Sequence, residues 1–417
     1  MLGSPFPMRF KKSPAQIRFH PAVLWLALGC AAAQAADWPQ WRGPDRNGIS
    51  AEKGWLDQWP AAGPTIAWRA QVGLGASSFV VAGGRVYTMG HADGKDTVFC
   101  FEAATGKPVW KHSYPAELGN KFFEGGTTGT PTLDGDRLYA LSRWGDAFCF
   151  EAATGKIVWS VNVQKETGCP VPDWGFTGAP LVLDGRLILN VGEAGLALDK
   201  ATGKVLWKSA AENAGYSTPL PVELAGRWLV LLGSSKSYLA VSPVDGQEAW
   251  RAPWVTEYGV NAADPIVSGG KLFVSTGYGK GAALFALGTG APEEVWRARA
   301  FRTQLNAAVL HEGHLYGVDG DTTSIASLKC LEFATGTEKW AHKDFRTGAL
   351  SMADGRLIGL SGTGTLMIAP ASPAGFAPTA SAKILDGKCW AAPVLAHGLI
   401  YCRNTRGDIV VVDVRKK

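Results

Sequence analysis

Glu102-Ala-Ala-Thr-Gly-Lys-Pro-Val-Trp110 is echoed by Glu151-Ala-Ala-Thr-Gly-Lys-Ile-Val-Trp159 and by Asp199-Lys-Ala-Thr-Gly-Lys-Val-Leu-Trp207. Looser copies follow at Pro243-Val-Asp-Gly-Gln-Glu-Ala-Trp250, Gly288-Thr-Gly-Ala-Pro-Glu-Glu-Val-Trp296 and Glu332-Phe-Ala-Thr-Gly-Thr-Glu-Lys-Trp340. Trp68 stands in the same series without the lead-in, and successive tryptophans are 42, 49, 48, 43, 46 and 44 residues apart. A period in the forties with several short strands per repeat predicts a β-propeller blade. Within the phrase, Gly106, Gly155, Gly203 and Gly336 supply the positive φ of a tight hairpin, and the threonine can bond its own turn. Each tryptophan is large enough to reach the next blade and offer its indole N–H there.

Upstream of each phrase lie two more apolar runs joined by turn residues. They are Ser77–Val81 and Arg85–Met89 across Ala-Gly-Gly, Thr130–Leu133 and Leu138–Leu141 across Asp-Gly-Asp, and Ala179–Val182 and Leu187–Asn190 across Asp-Gly-Arg. Asp-Gly between alternating apolar runs is a strong hairpin signal. The expected fold is therefore all-β, an eight-bladed propeller of four-stranded antiparallel blades spanning residues 63–417. Its innermost strands are predicted to start near Ser77, Thr130, Ala179, Thr218, Ala263, Ala307, Ala349 and Ala391. Blade seven is degenerate, with Lys383-Ile-Leu in place of a tryptophan strand. Blade eight has only three C-terminal strands, so the Trp68 strand is expected to supply its fourth.

The chain has 417 residues, 46% hydrophobic and 18% charged, with 52 glycines. That composition suits a large core and many turns. Arg9, Lys11, Lys12 and Arg18, an apolar run over 22–33 and Ala33-Gln-Ala35 read as a cleavable export signal, residues 1–35. Removing its four positive charges brings the formal net charge from +5 to +1, so no nucleic-acid partner is expected. The protein is expected in the periplasm or outside the cell, as a monomer. Membrane attachment is expected only through lipidation at Cys30, where Ala27-Leu-Gly29 loosely resembles a lipoprotein box. Cys100, Cys149 and Cys330 occupy equivalent strand positions and read as buried small hydrophobes. Cys169, Cys389 and Cys402 are left as candidates for disulfide pairing. Residues 36–62 hold Asp37-Trp-Pro-Gln-Trp-Arg-Gly-Pro-Asp-Arg-Asn-Gly-Ile-Ser50, read as an ordered segment packed along the propeller wall.

The repeated Thr-Gly-Lys-x-x-Trp phrase resembles the pyrroloquinoline-quinone (PQQ) repeat family, and Trp38-Pro-Gln-Trp-Arg-Gly-Pro resembles its secreted bacterial members. The resemblance covers about residues 37–417 and implies the fold more sharply than the function. Within the family stand quinoprotein dehydrogenases, which hold PQQ and calcium at one propeller face, and the non-enzymatic propeller lipoprotein of outer-membrane protein assembly. The dehydrogenases carry an adjacent Cys-Cys pair, and some an appended haem. This chain has neither Cys-Cys nor Cys-x-x-Cys-His, and little length for a lid. The expectation is a binding or scaffold module that requires no cofactor or metal. The alternative is a minimal quinoprotein oxidoreductase of alcohols or sugars using PQQ with calcium.

In a propeller, the loops that lead into the innermost strands converge on one mouth of the channel. Here they carry Glu124, Asp173, Trp174, Tyr216, Tyr258, Asn261, Asp264, Arg302, Gln304, Asn306, Arg346, Lys388 and Trp390. Aromatics there can stack a planar ligand, and Arg302 and Arg346 can grip carboxylates. A protein partner or a small anionic or planar ligand is the expected occupant, set against the plainer role of plugging the mouth. Arg406-Gly-Asp408 repeats the hairpin turn of Trp144-Gly-Asp146 and is read as a turn. His311-Glu-Gly-His314 lacks the helical spacing of a zinc site. No Gly-x-Ser-x-Gly elbow or phosphate loop occurs.

Overall fold

The computed structural model describes residues 36–321 and 326–416; the export signal and Cys30 lie outside the described residues. Eight antiparallel sheets follow one another along the chain. Their first strands are Val80–Ala82, Thr132–Asp134, Leu181–Leu183, Leu220–Leu224, Ile266–Ser268, Val309–His311, Ala349–Ala353 and Val394–Ala396. The first strands of blades one, two and three, and those of blades six, seven and eight, touch their neighbours, which places them at the axis. Seven of them begin two or three residues later than the apolar pattern predicts, and the blade-seven strand begins at Ala349 as expected. The intervening residues bond sideways instead: Ser78 N donates to Thr130 Oγ1, Ala179 N to Thr218 Oγ1 and Thr218 N to Asp264 Oδ1. The strand holding Trp68, Thr65–Gln71, pairs antiparallel with the last strand, Asp408–Asp413. In blade seven the fourth strand is Ala380–Lys383.

The tryptophan phrase works as a clasp between blades. The indole N–H groups of Trp68, Trp110, Trp159, Trp207, Trp296 and Trp340 donate to carbonyls of Ala103, Ala152, Lys200, Pro243, Phe333 and Ser372 of the next blade, at 2.8–3.0 Å. In three blades a tyrosine hydroxyl shares the same acceptor: Tyr401 with Ala103, Tyr87 with Ala152 and Tyr139 with Lys200. The ladder slips one residue just before each of these tryptophans, as between Cys100 and Phe101 opposite Trp110 and Pro108. That bulge swings the indole toward its neighbour. The glycine of the next phrase then lies flat on the ring. A Cβ on Gly106, Gly155, Gly203 or Gly336 would sit 2.5–2.8 Å from the indole of Trp68, Trp110, Trp159 or Trp296. Trp250 breaks the series, for its buried Nε1 has no partner among the described residues. The following turn, at Gly288 and Gly290, is built differently, and a Cβ on either glycine would meet nothing within 4 Å.

Cys100, Cys149 and Cys330 are buried opposite Tyr87, Tyr139 and Tyr316. The disulfide candidates form no bond: Cys169, Cys389 and Cys402 are free and buried like the others. Cys169 packs in the core between blades two and three, whereas Cys389 and Cys402 pack between blades seven and eight. Cys389 Sγ turns to its own Gly387 carbonyl. Burial pushes the Cys389 thiol up to about 12 and Cys402 well above its ordinary value. A reductant should therefore leave the thermal midpoint unchanged, and a thiol reagent should modify these cysteines only after denaturation. Arg406-Gly-Asp408 is a turn, fastened by Asp408 N–H to Asn404 Oδ1, as Asp146 N–H bonds Ser142 Oγ.

The wall that residues 38–50 pack along is the inner one. Trp38 pairs by both backbone groups with Val81 of blade one. The Pro39 carbonyl accepts from Leu133 of blade two. Arg42, nearly buried, donates to the carbonyls of Ala307 and Ala308 in blade six. Ile49–Ser50 adds a short parallel strand beside Met352 and Ala353 of blade seven. Gly43, at φ 82°, has the Trp38 ring 2.9 Å from where a Cβ would stand, so the Trp-Arg-Gly turn demands glycine. First strands expose backbone edges to the channel, and this segment satisfies several of them.

Candidate functional site

The tip of that inner segment is the floor of a cup. Trp41 donates its indole N–H to Asp264 Oδ2 at 2.5 Å, and Asp264 Oδ1 accepts from Thr218 N at 2.7 Å. Above them opens a cavity of about 630 Å³, bounded by the loops that lead into the innermost strands. Eight of the residues expected at the mouth line it: Trp174, Tyr216, Asp264, Gln304, Asn306, Arg346, Lys388 and Trp390. Trp41, Phe122, Phe123 and Tyr278 line it as well and were not anticipated.

Five expected residues do other work. Asn261 is fully buried and its amide donates to the carbonyls of Ser234 and Trp254. Arg302 grips the chain's own Asp319 with Nε and Nη2, at 2.9 and 3.2 Å. Asp173 pairs with Lys121 and Glu124 with Lys388, both at the rim. Tyr258 is exposed and meets Tyr278 edge-on, 5.4 Å between centroids.

The loop Lys121-Phe122-Phe123-Glu124 ties two sides of the cup. Phe122 packs on Trp174 at 4.9 Å, and Phe123 faces Trp390 at 6.4 Å. The aromatic surfaces thus stand on separate walls. Charge is mostly balanced. Burial pushes the Asp264 carboxyl up, and Arg42 and Arg46 beneath it oppose that rise. Lys388 is matched by Glu124. Burial also raises the Tyr216 phenol to about 12, so it stays a neutral hydroxyl.

Arg346 is the exception. It is exposed, lines the cup, and makes no side-chain hydrogen bond or ion pair among the described residues. Its backbone lies at φ 61°, ψ −168°, a region that belongs to glycine. Phe345, fully buried, and the bond from Gly348 N to the Arg346 carbonyl hold it there. Such strain costs about 1–3 kcal/mol, and a glycine loses about 0.5–1 kcal/mol through its freer unfolded state. Arg346→Gly should therefore stabilise the protein by about 1 kcal/mol in urea unfolding. A loss of stability would show that the guanidinium has a structural partner.

Residues 53–128 and 118–342 match the family described as outer membrane protein assembly factor BamB. The chain belongs to this family. No curated protein matches it. Among solved structures, BamB from Moraxella catarrhalis is similar at a TM-score of 0.62 and 15% identity, covering 84% of this chain and 99% of that one. The quinohemoprotein alcohol dehydrogenase from Comamonas testosteroni is similar at 0.65 and 15%, covering 93% and 82%. The computationally designed Ika8 protein reaches 0.60 at 12%, covering 87% and 100%. Likeness at such identities carries the fold and leaves function to the site.

PQQ with calcium is the cofactor pair that the family resemblance implies for the oxidoreductase alternative. Calcium takes six to eight oxygen ligands. The one carboxylate on the floor already accepts two N–H groups and stands over two arginines. Among the described residues no group of three or more His, Cys, Asp or Glu is arranged to hold a metal. The residues present do not fit a calcium-bound quinone.

Proposed function

We propose that this is an exported, non-catalytic binding propeller whose recognition site is the cup floored by Trp41. The observation that carries this reading is Arg346, an unpaired cation held in a strained backbone over an aromatic cavity. Strain of this kind persists where the surrounding structure imposes it, and it clusters at binding sites. The volume lies within the roughly 300–1,000 Å³ of small-molecule pockets. Trp41, Trp174 and Trp390 supply apolar surface, and Arg346 supplies the attraction for an anion. The family's name offers a protein partner instead, and exposed Phe122 and Tyr258 at the rim are where one would dock.

The quinoprotein alternative is separated by tryptophan-fluorescence titration with PQQ, with and without calcium, and a dye-linked oxidation assay on alcohols and sugars. The binding reading expects calcium to add no affinity and no substrate to be oxidised. Calcium-dependent saturation with turnover would replace it by the oxidoreductase reading.

A further inference from the structure

Two amide side chains of the same cup narrow the ligand. Gln304 and Asn306 line the cup yet are only 5% and 9% exposed. Each is oriented by backbone. Gln304 Oε1 accepts from Gly277 N at 2.9 Å, so its Nε2 is the free end. Asn306 Nδ2 donates to the Trp390 carbonyl at 2.9 Å, so its Oδ1 is the free end. Neither free end has a protein partner among the described residues. A fixed donor and a fixed acceptor, on side chains two residues apart and nine-tenths buried, thus open into the cup where a ligand's hydroxyls can reach them.

Resting on the reading of the cup as a binding site, we infer that its ligand is an acidic sugar, a hexuronate or a short chain of them. Its carboxylate meets Arg346, its ring hydroxyls meet Gln304 Nε2 and Asn306 Oδ1, and its C–H face lies on an indole wall. A hydroxyl both donates and accepts, so neighbouring hydroxyls answer a neighbouring donor and acceptor. A flat aromatic acid needs a slot between parallel faces. Here Trp174 is already covered by Phe122 and meets Tyr216 at 82°, and Trp390 stands on another wall. A peptide would seek a free strand edge, and in the channel the segment 38–50 takes those of blades one and seven.

The test is calorimetry of the whole protein with galacturonate, digalacturonate, glucose, PQQ without calcium, and an N-acetyl dipeptide carboxylate. The expected result is saturable binding of the uronates, glucose at least about tenfold weaker, and a loss of about tenfold or more in Arg346→Gly. Gln304→Glu keeps the acceptor for Gly277 N and turns the ligand-facing donor into an oxygen, so it should also weaken the uronates about tenfold. Uronate binding unchanged in both variants would overturn the inference. PQQ or the dipeptide binding through Arg346 while uronates do not would overturn the sugar assignment and leave the cup as a binding site. No binding by any probe would overturn both.

Discussion

Arg403→Met is expected to cost about 5 kcal/mol or more, enough to prevent stable folding in most backgrounds. Arg403 is completely buried and has no carboxylate partner among the described residues. Its Nη1 donates to the carbonyls of Ser77 and Met89 and to Thr88 Oγ1, and its Nη2 to the carbonyls of Gly73 and Gly75. Every one of those acceptors lies between Gly73 and Met89, in or leading into blade one, while Arg403 closes a strand of blade eight. One side chain therefore ties the last blade to the first. Burial pulls the guanidinium down to about 9, which still leaves it charged at neutral pH. Methionine matches the apolar stem but leaves several buried carbonyls without a donor, at about 1–3 kcal/mol each. Lysine gathers its donors at one point and cannot serve both ends of the planar fork. Urea unfolding or soluble yield measures the effect. A change under 1 kcal/mol would mean that water replaces the fork without penalty.

Gly155→Ala should cost about 2–4 kcal/mol, because strain and steric conflict act together. Its φ is 73°, and a methyl group would stand 2.5 Å from the six-membered ring edge of Trp110. To make room the indole must withdraw from the Ala152 carbonyl, unfastening blade one from blade two. Gly185→Ala is the control. It has φ 80° and an added methyl would meet nothing within 4 Å, so only the backbone cost of about 1 kcal/mol applies. The difference between the two unfolding free energies measures the clasp. Equal losses would show that the Trp-on-Gly contact contributes nothing.

That contact explains why the fold could be read from the chain. The glycine fixes a turn and seats a tryptophan of the preceding blade, so local pattern and blade-to-blade packing coincide in one phrase. Asp-Gly hairpins add the inner strands. The inner segment could not be placed this way. Trp38, Pro39, Trp41, Arg42 and Ile49 each meet a different blade, so they follow no period. The site was half legible for a related reason. Loops before innermost strands must converge, and Trp174, Tyr216, Gln304, Asn306 and Arg346 from them line one cavity. Nothing local distinguishes Arg302 from Arg346, because the difference is Asp319, seventeen residues on in the next strand of the blade. Asn261 likewise looks like a ligand group until Ser234 and Trp254 claim its amide. Phe122 and Phe123 had a visible signal, two aromatics between Lys121 and Glu124 in a glycine-bounded loop of the same mouth.

The most direct measurement of the central claim is a crystal structure of the protein soaked with digalacturonate. A binding cup predicts a uronate carboxylate within hydrogen-bond distance of the Arg346 guanidinium, a hydroxyl between Gln304 Nε2 and Asn306 Oδ1, and Trp41 still bonded to Asp264 beneath. Digalacturonate seated elsewhere, or a guanidinium turned onto a carboxylate of its own chain as Arg302 is, would contradict it.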